Sequence, residues 1–157
     1  MIARLSVAAV LAALVLNPGP ARAQNIVVNV DGPCVMGVGG RNSRCAGTAY
    51  IAFPATQRVD FVAVTIAGDW IFSGHKDDAA EGGLYTLVVD ALTGPRKARA
   101  AAEGMCSMDL ADDKVTVRSI DCVAITEADG PVQLRASGMV TQTVVSRRGD
   151  DSAKGIR

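Results

Sequence analysis

A surplus of either charge is missing from this chain: 16 Lys and Arg stand against 16 Asp and Glu over 157 residues. A nucleic-acid-binding domain shows a basic surplus, and none is present. Histidine is nearly absent as well, with His75 the single copy, which excludes a metal site built on several imidazoles. The cysteines do not form the C-x2-C knuckles of structural zinc sites, no G-x-S-x-G elbow is present, and no glycine-rich turn lies between a strand and a helix as dinucleotide binding requires. No metal and no cofactor are expected. Aromatic residues are scarce, with one Trp, two Tyr and three Phe, so each is expected in a core rather than on display. The longest apolar run, Leu5 to Leu16, is about a dozen residues, short of the ~20 that a membrane-spanning helix needs. No membrane span is expected.

That short run is informative in its place. Arg4 precedes it, Asn17, Pro18 and Pro20 end it, and Ala21-Arg22-Ala23 follows before Gln24. A charged start, a brief apolar stretch and a small-x-small site describe a cleavable export signal over 1–23. Gln24 in place of Cys removes lipid attachment at the first mature residue. The expected protein is therefore periplasmic or secreted, with a leader of bacterial style. Loss of 1–23 removes Arg4 and Arg22 and no acid, leaving 134 residues and a charge of −2. That length suits one domain, expected over 24–145, followed by a disordered tail over 146–157 that contains the tripeptide Arg148-Gly149-Asp150.

Four cysteines, Cys34, Cys45, Cys106 and Cys122, lie in the mature part. An even count in an exported chain points to disulfides, with three connectivities open. Proximity in sequence favours Cys34 with Cys45 and Cys106 with Cys122.

Short runs rich in Val, Ile, Thr and aromatics, divided by Gly, Pro and Asp, predict strands. They cover 25–30, 48–53, 58–67, 70–73, 84–92, 105–110, 115–126 and 132–137, with a ninth over 139–145. The fold class expected is all-β: an antiparallel sandwich or small barrel of about eight strands. Pro95 opens and Gly104 closes a run of helix formers, which predicts one short helix there. Gly68-Asp69 predicts a type II′ hairpin turn. From Val59 to Ile66 apolar residues fall on both faces, which predicts a strand covered on both sides. Val115 and Val117 differ in phase from Ile120, Cys122 and Ala124, which predicts a bulge near Ser119. With a tight turn, Leu110 would then oppose Val115, and Cys122 would lie diagonal to Cys106.

For function, the leading expectation is a non-enzymatic binding or envelope-interaction module whose partner is a protein or small ligand. Gly39, Gly40, Arg41 and Arg44 are its candidate residues, read as an irregular loop stapled by Cys34 and Cys45, because ordering a loop in advance lowers the entropic cost of binding. The alternative is a hydrolase using Ser73, His75 and a carboxylate such as Asp77, since residues two apart on a strand share a face. A third reading is an assembly subunit joined through an edge strand. The acids Asp77, Asp78 and Glu81 lack the alternating spacing of a calcium loop and read as a solvated turn.

Overall fold

A computed structural model describes residues 25–77, 84–113 and 116–137 with their side chains, and 138–146 by their backbone pairing. The expected export signal over 1–23 and nearly all of the expected tail lie outside the described residues. The order is β1 (Asn25–Asp31), β2 (Cys34–Val38), β3 (Arg41–Cys45), β4 (Gly47–Phe53), β5 (Arg58–Thr65), β6 (Gly68–Lys76), β7 (Leu84–Thr93), β8 (Ala100–Leu110), β9 (Thr116–Thr126) and β10 (Gly130–Ser146). All ten belong to one antiparallel sheet, and no helix occurs among the described residues.

The sheet curls because its apolar face has no other layer to cover it. Alternation puts Val59, Phe61 and Ala63 of β5 on the inner face, opposite Phe72 and Trp70 of β6, and these are buried against Leu87, Ile120 and Leu134 from the later strands. Asp60, Asp90, Glu103, Asp121 and Arg135 point outward. β1 is paired on both edges, with β4 through Val28↔Tyr50 and with β10 through Val28↔Thr143. The hydrogen-bonded path from β1 through β4 to β10 thus returns to β1, giving a barrel-like curl rather than two stacked sheets.

Two interruptions turn an eight-strand pattern into ten strands. Gly32-Pro33 separates β1 from β2, yet both lie along the same edge of the 17-residue β10. Ala46 likewise separates β3 from β4. The sequence reading missed β2 and β3, and it divided β10 in two.

The predicted helix is absent. Gly94 to Lys97 is a β-turn closed by a 3.1 Å bond from the Lys97 N–H to the Gly94 carbonyl, with Arg96 at φ 59° in the third position. The chain then enters β8 at Ala100. A ten-residue helix is marginal by itself, whereas this segment has strands on both sides of it. Gly104 fits because the backbone of β9 is so close: a Cβ there would meet the Val123 carbonyl oxygen at 2.1 Å.

Other local readings shift by small amounts. The β5–β6 hairpin forms, but its turn is at Ile66-Ala67, and Gly68 already pairs with Thr65. The outer face of β5 is covered only in part, since Val62 is buried whereas Val64, and Ile66 in the turn that follows, are exposed. The bulge between β8 and β9 is where it was expected, since Asp109 pairs with Ser119 and Leu110 with Val117, skipping Arg118. The turn before β9 is longer than anticipated, so Cys106 stands directly opposite Cys122 rather than diagonal to it.

Both favoured disulfides are present, Cys34–Cys45 with Cα atoms 5.3 Å apart and Cys106–Cys122 at 4.0 Å. No cysteine is free. Two intramolecular disulfides are the mark of a chain that folds in an oxidising environment. No helix among the described residues is long and apolar enough to cross a membrane.

Candidate functional site

Gly39, Gly40, Arg41 and Arg44 belong to a regular two-stranded ribbon, not to an irregular loop. β2 and β3 pair in the register Cys34↔Cys45 through Val38↔Arg41, leaving two residues, Gly39 and Gly40, to reverse the chain. Their φ angles of 53° and 77° are the left-handed values a type I′ turn demands at both central positions. Glycine adopts them without a Cβ penalty.

Each edge of this ribbon meets a different surrounding. β2 is anchored to β10 by Val132↔Val38 through Ala136↔Cys34, and its inward residues Cys34 and Met36 are buried in the core. β3 is the last strand of the sheet, and Arg41, Asn42, Ser43 and Arg44 are all exposed. In a two-residue hairpin the residues flanking the turn bond to one another, so Arg41 and Ser43 direct their backbone groups towards β2. Asn42 and Arg44 direct theirs to the open side. Ala46, the next residue of that parity, has its N–H bonded to the Val64 carbonyl at 2.7 Å. The ladder between β3–β4 and β5 therefore stops at Ala46, and no described strand pairs with β3 along Asn42 and Arg44.

The ribbon projects at the end of the sheet that also carries the β5–β6, β7–β8 and β9–β10 turns. Arg41 and Arg44 form no ion pair among the described residues, whereas Lys97 pairs with Asp129, Arg118 with Asp109 and Asp112, and Arg135 with Asp121. Val35, on the outer face beside Arg44, is 41% exposed. The arrangement offers unpaired backbone donors and acceptors between two arginines, held by a disulfide at the ribbon's base.

Ser73 and His75 lie on one face of β6, opposite Asp60 and Arg58 respectively. Their surroundings differ from those of a nucleophile and its base. Ser73 is 3% exposed. His75 is open to solvent, with Nδ1 3.8 Å from Asp90 Oδ2. The acid nearest His75 is thus Asp90, while the Asp77 N–H bonds to the Thr86 carbonyl at the end of the strand. Asp78 and Glu81 lie outside the described residues.

Asp90 was not singled out from sequence, yet it holds the densest charge cluster described. It is the extra residue where β7 bulges against β6, between Val89↔Gly74 and Ala91↔Ser73. Arg58 donates to both its carboxylate oxygens, at 2.6 and 3.0 Å, and Arg99 stands 3.5 Å away. The hydrogen bonds from Arg58 hold the carboxyl below its usual range, against a smaller opposing effect of burial, and the same contact raises Arg58. The bulge aims Asp90 off the regular alternation, and nothing in the sequence pattern of β7 announces it. This cluster is exposed and internally satisfied, so it orders the wall rather than offering a site.

No group of three or more His, Cys, Asp or Glu side chains among the described residues is placed to hold a metal ion. Comparison of the chain with protein-family models, with curated proteins and with solved structures found no match.

Proposed function

We propose that this is an exported binding module that takes an extended segment of a partner protein as an added strand along the open edge of β3. The observation that carries the reading is the stretch from Asn42 to Arg44, where backbone groups point away from β2 and no described strand pairs with them. Strand addition draws its affinity from main-chain bonds and its selectivity from the side chains between them. Each main-chain bond contributes about 0.5–1.5 kcal/mol net, so the few this edge offers need help. Arg41 and Arg44 supply it for a segment carrying Asp or Glu, one arginine on each face of the ribbon. The Cys34–Cys45 bond and the glycine turn fix the edge before the partner arrives, which lowers the ordering cost of binding.

This reading joins the stapled loop and the edge strand, which the sequence treated as separate ideas. Periplasmic or secreted placement belongs to the same proposal and is supported by the two disulfides.

The test is selection of a displayed peptide library on the oxidised full chain. Extended acidic peptides are expected, with affinity lost in Asn42→Pro, which removes an outward N–H and leaves the β2 ladder intact. Arg41→Ala with Arg44→Ala should weaken binding by about tenfold or more. Peptides that bind Asn42→Pro as well as the parent, in a variant with unchanged circular dichroism, would sink the reading.

A further inference from the structure

At the end of the sheet opposite the ribbon, between the β4–β5 turn and the end of β6, is a cleft of about 390 Å³. Its floor is apolar, with Ala52 and Val59 paired across β4 and β5 on the inner face, and Pro54 adds an apolar wall. Its polar lining is basic or neutral, with Gln57 the one side-chain amide. Arg58, His75, Lys76 and Tyr85 border it, and none of the described lining residues is acidic. A cavity near the small end of the ~300–1,000 Å³ range of ligand sites, with an apolar floor and a few converging polar groups, has the form of a small-molecule site.

The hydroxyl of Tyr85 is prepared for a ligand by Tyr50. The Tyr50 hydroxyl donates to the Tyr85 oxygen at 2.6 Å, and the two rings meet edge to face with centroids 5.4 Å apart. Burial, then the bond to Tyr85, pushes Tyr50 far above the ordinary phenol range. Tyr50 therefore keeps its proton and spends it on Tyr85. The Tyr85 oxygen is already an acceptor, so its own proton is available to a group in the cleft. Lys76 lies over the same ring, with Nζ 5.6 Å from the centroid. Asp90, which stands 3.8 Å from His75, is engaged at both oxygens by Arg58.

We propose that this cleft binds a small organic anion, its carboxylate taken by Lys76 and the Tyr85 hydroxyl and its apolar body laid against Ala52 and Val59. A cation is disfavoured by a lining with two permanent positive charges and no acid among its described residues. A bare inorganic anion would leave the apolar floor unused. The site is independent of the β3 edge.

Benzoate, benzyl alcohol and inorganic phosphate serve as probes in a nuclear magnetic resonance titration of the oxidised full chain. Benzoate is expected to shift the signals of Val59, Lys76 and Tyr85 saturably. Lys76→Met, which keeps the stem and removes the charge, should weaken benzoate by about tenfold or more, and Tyr85→Phe by several-fold. Benzyl alcohol, similar in size but neutral, should bind the parent no better than benzoate binds Lys76→Met. Benzoate affinity indifferent to Lys76→Met, benzyl alcohol binding as tightly as benzoate, phosphate matching benzoate, or no saturable shift at millimolar benzoate would each overturn the proposal. Lys76 is exposed, so its variant tests the site without disturbing the core.

Discussion

Tyr50 and Tyr85, the two tyrosines of the chain, meet hydroxyl to hydroxyl at 2.6 Å although 35 residues separate them. They come from β4 and β7, strands that are not neighbours, and touch only because the sheet curls. Tyr50 also meets Phe61 edge to face at 5.3 Å. The pair is thus a reporter on the curl.

That reporter can be read in alkali. Raising a phenol's titration in the folded state stabilises the fold below the unfolded value and loses that contribution as pH rises above it. Absorbance of phenolate should therefore show Tyr50 un-ionised in the native protein above pH 10, its ordinary value, and ionising together with unfolding. Tyr50→Phe should abolish that late step. Two tyrosines titrating near their ordinary value in folded protein would refute the buried donor.

Asp90 gives the opposite sign. Its carboxyl is lowered by Arg58, so its contribution is present at neutral pH and is lost in acid, as pH falls below the ordinary 3.8 and through the lowered value. Asp90 is 41% exposed and Arg58 33%, so solvent screening limits the effect. Asp90→Asn is expected to cost about 1 kcal/mol or less in urea denaturation at pH 7. The gap from the parent should close progressively as the pH is lowered. A gap that widens in acid would contradict the ion pair.

The two disulfides should differ when removed. Cys106 and Cys122 are 0% and 1% exposed and join adjacent strands in the core. Replacing both by Ala should cost about 2–4 kcal/mol. Replacing Cys34 and Cys45 should instead release mainly the ribbon, seen as faster amide exchange at Val38 and Arg41 with smaller change at Phe61. Equal global losses for both pairs would show that the ribbon is not a separable element.

Gly104→Ala tests the close approach of β8 and β9. The added Cβ would meet the Val123 carbonyl at 2.1 Å, so the strands must separate. A loss of about 2 kcal/mol or more is expected in thermal unfolding. A melting temperature like the parent's would mean that β9 has room to yield.

How much of this was legible in sequence depends on what each residue's neighbours could reveal. Val59, Phe61 and Ala63 form one apolar row, but Val62, Val64 and Ile66 form a second, so the pattern of β5 did not tell the inner face from the outer, whereas the phase change after Val117 announced the bulge. Cys34, Met36 and Val38 carried the same alternation, but the glycines and polar residues from Gly37 to Arg44 hid it, since β3 has no apolar face. The Ala-rich stretch after Pro95 reads as helix by propensity, and only the strands beside it, distant in sequence, make it β8. The register of Cys106 against Cys122 depended on a turn length that residues 111–115 do not advertise. For function, Arg41 and Arg44 were singled out as parts of a loop, while the open backbone edge between them was not foreseen. Tyr50 and Tyr85 meet only through the curl, and Asp90 gathers its partners only through its bulge, so neither grouping had a local signature.

The pairing of β1 with β10 joins Asn25 to Ser146, nearly the full length of the described chain, whereas the disulfides span 11 and 16 residues. Contacts of long sequence separation form slowly because their loop entropy is lost first. Each cysteine pair can therefore be oxidised on its own hairpin as the chain emerges, with no need for the closed sheet. In a stopped refolding experiment, both correct disulfides should be trapped before the amides that bond β1 to β10 gain protection. During that interval β1 and the end of β10 are both unpaired edges, and two copies of the chain could exchange them.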